Sequence, residues 1–207
     1  MGKHVAVALW GNSAIRVLTG FLTLFVAFVV KATDADATSQ LFLIGIVGAA
    51  AGIGSFAGNA AGSRPKALGE AIILWCVLGA VLVATVAAVF PGILTAAAVG
   101  LIGAAVSALA KVSLDAVIQH DLPEASRASA FGRSETVLQL AWVFGGALGV
   151  LLPHDQYVVG FAVTAGAVAL TGLQTLLLYR GRSLLPFLAV RAQSVPVAPG
   201  AAPTVSR

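Results

Sequence analysis

The stretch AIILWCVLGAVLVATVAAVFPGILTAAAVGLIGAAVSALA, residues 71–110, carries no charged side chain. A helix needs about 20 apolar residues to cross a hydrocarbon core about 30 Å thick. This stretch is twice that length and is broken only by Pro91-Gly92, so it reads as two crossings joined by a tight turn. Outward from it lie two shorter charge-free runs, residues 37–63 and 156–179, each fit for one crossing.

Composition agrees. The chain of 207 residues is 59% hydrophobic and 10% charged, with mean hydropathy +0.99. A soluble domain carries roughly 25% charged residues, so there are too few here to coat a surface facing water. The expected fold is an all-α, polytopic membrane bundle of six transmembrane helices over residues 1–183, followed by a disordered, proline-rich cytoplasmic tail, 184–207. The predicted spans are Trp10–Val30 (with a start as early as His4), Ser39–Ala61, Glu70–Phe90, Gly92–Gln119, Thr136–Leu152 and Gln156–Tyr179. A polar loop is expected over His120–Glu135.

The net charge is +4. No basic run interleaved with aromatics is present, so nucleic acid is not expected as a partner. The basic residues read instead as topology signals. With both termini inside, eleven of the 12 basic residues fall on the inner side and Lys31 alone on the outer. The positive-inside rule then places both ends in the cytoplasm of a cell with this protein in its plasma membrane. Arg64 and Lys66 form a cytoplasmic basic loop between the second and third spans.

Glycines four apart mark where helices approach closely, because lipid supplies no hydrophobic drive for helix association. Gly48/Gly52, Gly54/Gly58 and Gly58/Gly62 in the second span, and Gly145/Gly149 in the fifth, are predicted tight contacts.

Polar residues within spans are costly and therefore informative. Asn12, Arg16, Thr19 and Thr23 follow one helical face at spacings of four, three and four. Arg16 precedes Val30 by about 21 Å of helix, in the inner third of the span. The stripe reads either as a translocation path or as interhelical polar glue. Ser107, Lys111, Asp115 and Gln119 form a second stripe at the inner end of the fourth span. There an inner gate or charge network is favoured over direct substrate contact. Lys before Asp is the poorer order for a local helix pair, so each is expected to have a further partner on a neighbouring helix. Glu135, Gln139 and Trp142, at spacings of four and three, open the fifth span beside Arg133. Glu135 could partner Arg16, Arg133 or Lys111.

Motifs of soluble enzymes are missing: there is no phosphate-binding Walker loop, no zinc-protease H-E-x-x-H and no G-x-S-x-G. His4, His120 and His154 lie at the ends of different spans, which excludes a metal site by spacing. Cys76 sits alone in a span as an apolar filler. The chain is read as a non-enzyme with no cofactor and no metal.

Residues 111–124, KVSLDAVIQHDLPE, resemble the end of the tenth helix of actinobacterial drug-exporter-like members of the major facilitator superfamily. Residues 127–133, RASAFGR, resemble their next loop, and residues 135–143, ETVLQLAWV, the start of helix eleven. Residues 16–28, RVLTGFLTLFVAF, resemble helix seven, and residues 58–64, GNAAGSR, a second copy of the family's basic loop. The match is to the second six helices of a twelve-helix transporter. It implies secondary transport of a small molecule, with efflux the favoured direction, by a fragment of such a transporter or by a half that pairs with a copy of itself or with a separate six-helix half. The competing reading is a non-transporting membrane subunit acting in assembly.

The topology is testable. Accessibility tags at Asp36 should report outside, and tags at Ser63 and Ser126 inside; a shared side for Asp36 and Ser63 would break the six-span arrangement.

Overall fold

The computed structural model describes residues 3–32, 35–63, 69–153 and 157–183. Six helices account for all regular structure among them: α1 (Lys3–Lys31), α2 (Ala37–Gly62), α3 (Glu70–Val89), α4 (Ile93–Asp121), α5 (Glu124–Leu151) and α6 (Tyr157–Tyr179). Each is long and apolar enough to cross a membrane. The chain is a multi-pass membrane protein. The predicted tail, 184–207, and the basic-loop residues Arg64 and Lys66 lie outside the described residues.

One boundary differs from the sequence expectation, and a second falls at its early limit. The loop predicted over His120–Glu135 is helix except for Leu122-Pro123, and α5 starts at Glu124. Its first turns are polar and so look unlike a span, but Ala, Ser, Glu and Arg there are compatible with helix. Ala130, Ser134 and Leu138, four apart, give this region a buried face. Ser126 steadies the start, its N–H and hydroxyl both donating to the Pro123 carbonyl at 2.9 Å. At the other end of the chain, α1 begins at Lys3, with Val5, Val7 and Ala8 fully buried. Arg16 therefore lies 13 residues from one end of α1 and 15 from the other, at its middle rather than in an inner third.

Helix α1 is the hub, packing on α3, α4, α5 and α6. Phe21 and Phe25 stack at 4.5 Å and meet Phe161 of α6 edge-on at 5.5 and 5.6 Å. Helix α2 leans on α4, and α2 and α5 make no substantial contact. Large apolar side chains such as Leu41, Phe42, Phe56, Leu94 and Leu140 point outward. On a soluble protein they would be an aggregation hazard; here they are the surface that lipid requires. At the start of α2 the Asp36 carboxylate accepts bonds from the Ser39 hydroxyl (2.6 Å), the Ser39 N–H (3.3 Å) and the Thr38 N–H (3.1 Å). The Ser39 bonds foremost hold this exposed carboxyl below its ordinary range.

The packing repeats under exchange of α1 with α4, α2 with α5 and α3 with α6. The exchange carries α1·α5 onto α4·α2 and α1·α6 onto α4·α3, while α1·α4 and α3·α6 map onto themselves. The α1·α3 contact has no comparable α4·α6 counterpart. The correspondence reaches single residues. A Cβ on Gly54 or Gly58 of α2 would fall 1.9 or 2.1 Å from the carbonyl oxygen of Leu101 or Ala105 of α4. A Cβ on Gly145 or Gly149 of α5 would fall 2.0 or 2.7 Å from the carbonyl oxygen of Val17 or Phe21 of α1. Both seams advance in step along the two chains, so each joins parallel helices. By contrast α1 and α4 are antiparallel: Asn12 meets Ala110, whereas Gly103 faces Leu18 and Thr19. Exchanging them inverts direction.

Gly48 and Gly52, expected to be tight, are open: a Cβ added at either would meet nothing within 4 Å. They lie on α2 but off the seam, which follows Gly54, Gly58 and Gly62 only. Four-residue spacing names a face of a helix, not whether a neighbour occupies it.

Gly58→Ala should therefore destabilise the bundle by about 1–3 kcal/mol, since a backbone oxygen cannot step aside as a side chain can. Gly52→Ala should be neutral or stabilising by up to about 1 kcal/mol through helix propensity alone. Thermal unfolding of both variants in the same detergent checks the contrast; equal losses would remove the seam's role.

Candidate functional site: a polar groove over α1 and α4

Because α2 and α5 stand apart, a groove of about 360 Å³ opens between them. Its floor is α1 and α4, contributing Arg16, Thr19, Ser107 and Lys111. One wall is α2, with Ser55 and Asn59, and the other is α5, with Trp142. Seven polar or amphipathic side chains thus converge at the middle of the two floor helices. Ser107 lies 14 residues from each end of α4, level with Arg16 at the middle of α1.

The two glycine seams set the walls. Gly54 and Gly58 draw α2 onto α4, placing Ser55 and Asn59 at the rim. Gly20 draws α5 onto α1, where a Cβ would fall 2.0 Å from the Trp142 carbonyl oxygen, and so places the indole on the opposite rim.

The predicted stripe on α1 divides between two roles. Asn12 is fully buried, and its amide Nδ2 donates to the Ala110 carbonyl of α4 at 2.7 Å. That is interhelical glue. Arg16 and Thr19 line the groove. Thr23 is exposed one turn beyond, its hydroxyl donating to the Thr19 carbonyl at 2.7 Å. Gln139 is exposed on α5, one turn before Trp142, and does not line the groove.

Lys111 is the centre of a charge network. Its Nζ lies 2.6 Å from Asp115 Oδ1 on the same helix and 2.6 Å from Glu135 Oε1 on α5. Of the three partners open to Glu135 in the sequence, Lys111 is the one chosen. The second partner expected for Lys111 is therefore present. This ion pair spans two helices that otherwise touch little. Gln119 and Arg133 lie outside both groove and network.

Arg16 differs from Lys111. Among the described residues no carboxylate lies within ion-pair distance of it, and its Nε is buried without a hydrogen-bond partner. Sequence reasoning found Arg16 and Lys111 and set Trp142 on one face with Glu135 and Gln139, but missed Ser55 and Asn59 as groove residues. Ser55 and Asn59 are four apart on α2, a polar pair within an otherwise apolar span, and that was the available signal.

No protein-family model matches this chain, and no solved structure matches it. Over 190 residues the chain is 45% identical to an uncharacterized protein of Mycobacterium leprae (strain TN). It is 45% identical over the same length to uncharacterized proteins from two strains of Mycobacterium tuberculosis. These matches cover 91% of this chain but 32% and 34% of the relatives. The chain spans about a third of the length of the curated relatives it matches.

If the Lys111–Glu135 pair ties α4 to α5, a double-mutant cycle of Lys111→Gln and Glu135→Gln should show a coupling of about 1 kcal/mol in thermal stability. Partial exposure of Glu135 keeps the value small. Asp115→Asn alone should cost less than Lys111→Gln alone, because Lys111 keeps Glu135 at 2.6 Å when Asp115 is neutralised, whereas loss of the lysine leaves two carboxylates without their cation. Strictly additive effects would show that the three charges are neighbours without being coupled.

Proposed function

We propose that this chain is a six-helix half of a major facilitator-type secondary transporter that moves a small molecule across the plasma membrane. The observation that carries the reading is the groove's position. It lies at the middle of two antiparallel helices related by the exchange that repeats the packing. In transporters built from inverted repeats, the substrate site lies near the bilayer midplane where the repeats meet. The resemblance of residues 111–143 to drug-exporter-like members supports the same family and makes efflux the favoured direction.

In this reading the groove is half of a cavity. An opposing six-helix unit covers it, related by an axis along the membrane normal. That unit is a second copy of this chain or a different half. The curated relatives, about three times as long as the matched region, have the length to carry both on one polypeptide. Transport then needs the halves to rock about the site, so that the groove faces each side in turn. The Lys111–Glu135 pair, bridging α4 and α5 beside the groove, is suited to hold one of those positions. With both termini cytoplasmic, as the basic residues favour, it lies toward the inner mouth.

The test is flux in proteoliposomes containing the chain together with its opposing half. Arg16→Ala should abolish transport while membrane insertion and yield survive. Loss of expression together with helix packing would make Arg16 a packing residue and remove it from the path. Intact assemblies that insert and dimerise but move no compound across a broad small-molecule panel would favour the assembly-subunit reading.

A further inference from the structure

We infer that the groove is an anion site: its ligand carries a carboxylate, phosphate or sulfonate, bound by Arg16, on an aromatic or apolar body that rests against Trp142. The inference deepens the transport reading and rests on it for the ligand's role.

Two cations line the groove, Arg16 and Lys111. Lys111 is already met by two carboxylates at 2.6 Å, and neither Asp115 nor Glu135 is part of the groove lining. The Lys111 charge is therefore already compensated, and the cation left to meet a ligand in the groove is Arg16. Arg16 has no carboxylate partner among the described residues. A charged side chain at the centre of a membrane helix costs about 2.5–3.5 kcal/mol even by the mildest scale. Such groups are kept where they pair or where they act.

The Nε of Arg16 is buried and has no hydrogen-bond partner within the chain, so the protein alone does not satisfy the guanidinium. A planar guanidinium matches a carboxylate or phosphate with two parallel hydrogen bonds, which a lone lysine cannot do. The remaining polar lining is neutral. Thr19, Ser55, Asn59 and Ser107 offer hydroxyl and amide groups, and the nearest carboxylates, Asp115 and Glu135, are outside the lining and engaged with Lys111. Ala104, Ala108 and the Trp142 indole supply apolar surface for the rest of the ligand. The volume, about 360 Å³, is at the small end for a drug-sized compound, as expected if an opposing half completes the site.

The site can be tested without flux. The full chain carrying Trp10→Phe and Trp75→Phe, in nanodiscs of zwitterionic phosphatidylcholine, leaves Trp142 as the sole indole. 4-Nitrobenzoate, which quenches tryptophan, is titrated against its neutral and cationic analogues, 4-nitrobenzyl alcohol and 4-nitrobenzylammonium. Saturable quenching should be at least tenfold tighter for the carboxylate, a difference of about 1.4 kcal/mol. Arg16→Gln should abolish that preference, and Arg16→Lys should keep part of it. Equal affinity for the three compounds, a preference for the ammonium, or an unchanged preference in a folded Arg16→Gln protein overturns the inference.

A second measurement leaves Arg16 in place and so does not depend on that variant folding. With Cys76→Ala and Ser55→Cys, the new thiol should react faster with a sulfonate-bearing methanethiosulfonate than with the trimethylammonium-bearing reagent, after correction for their rates with a free thiol. Faster reaction with the cationic reagent overturns the inference. The two readings fail separately. Selective binding of nitrobenzoate in an assembly that supports no flux defeats transport and leaves the anion site standing. Flux of cationic compounds without anion preference defeats the anion site alone.

Discussion

The approach of glycine Cα atoms to carbonyl oxygens on a neighbouring helix is the constraint on which the other features depend. In lipid, apolar side chains gain nothing by leaving the solvent for a neighbouring helix, so helices associate through close packing and polar contacts. Gly54 and Gly58 let α2 reach the carbonyls of Leu101 and Ala105, and Gly145 and Gly149 let α5 reach those of Val17 and Phe21. These two seams fix α2 and α5 on opposite sides of the α1·α4 pair. The space left between them is the groove. A methyl group at any of the four positions would collide with backbone, which has no alternative rotamer to adopt.

Within that frame the polar residues divide according to what surrounds them. Asn12 commits its amide to the Ala110 carbonyl and joins α1 to α4. Lys111 commits its charge to Asp115 and Glu135 and joins α4 to α5. Arg16, one turn from Asn12 on the same helix, has no carboxylate partner among the described residues, leaves its Nε without an acceptor and faces the groove. Three polar positions thus join α1 to α4, pair α4 with α5, and line the groove. The difference lies in the acceptors within reach, not in the residue types.

Much of the fold is legible in charge spacing. The charge-free stretch 71–110 with Pro91-Gly92 at its centre became α3 and α4, and residues 37–63 and 156–179 became α2 and α6. The start of α5 was not legible, because helix outside the apolar zone has no hydrophobic run to announce it. Residues 124–135 are helical through local propensity and through burial of Ala130 and Ser134. Of the glycine pairs, Gly54/Gly58 and Gly145/Gly149 proved to be contacts while Gly48/Gly52 did not, since spacing along one helix carries no information about the position of a second.

By itself the sequence determined that this is a six-helix membrane bundle, because hydropathy and charge answer to the solvent, and lipid is a solvent that every residue meets alone. It also marked Arg16 and Lys111 as costly residues that need a reason. Only the tertiary structure decided that Lys111 pairs with Glu135, that Asn12 is glue, and that Arg16 shares a groove with Ser55, Asn59 and Trp142. Those outcomes depend on which face of one helix meets which face of another, and at contact distance that register is a property of pairs.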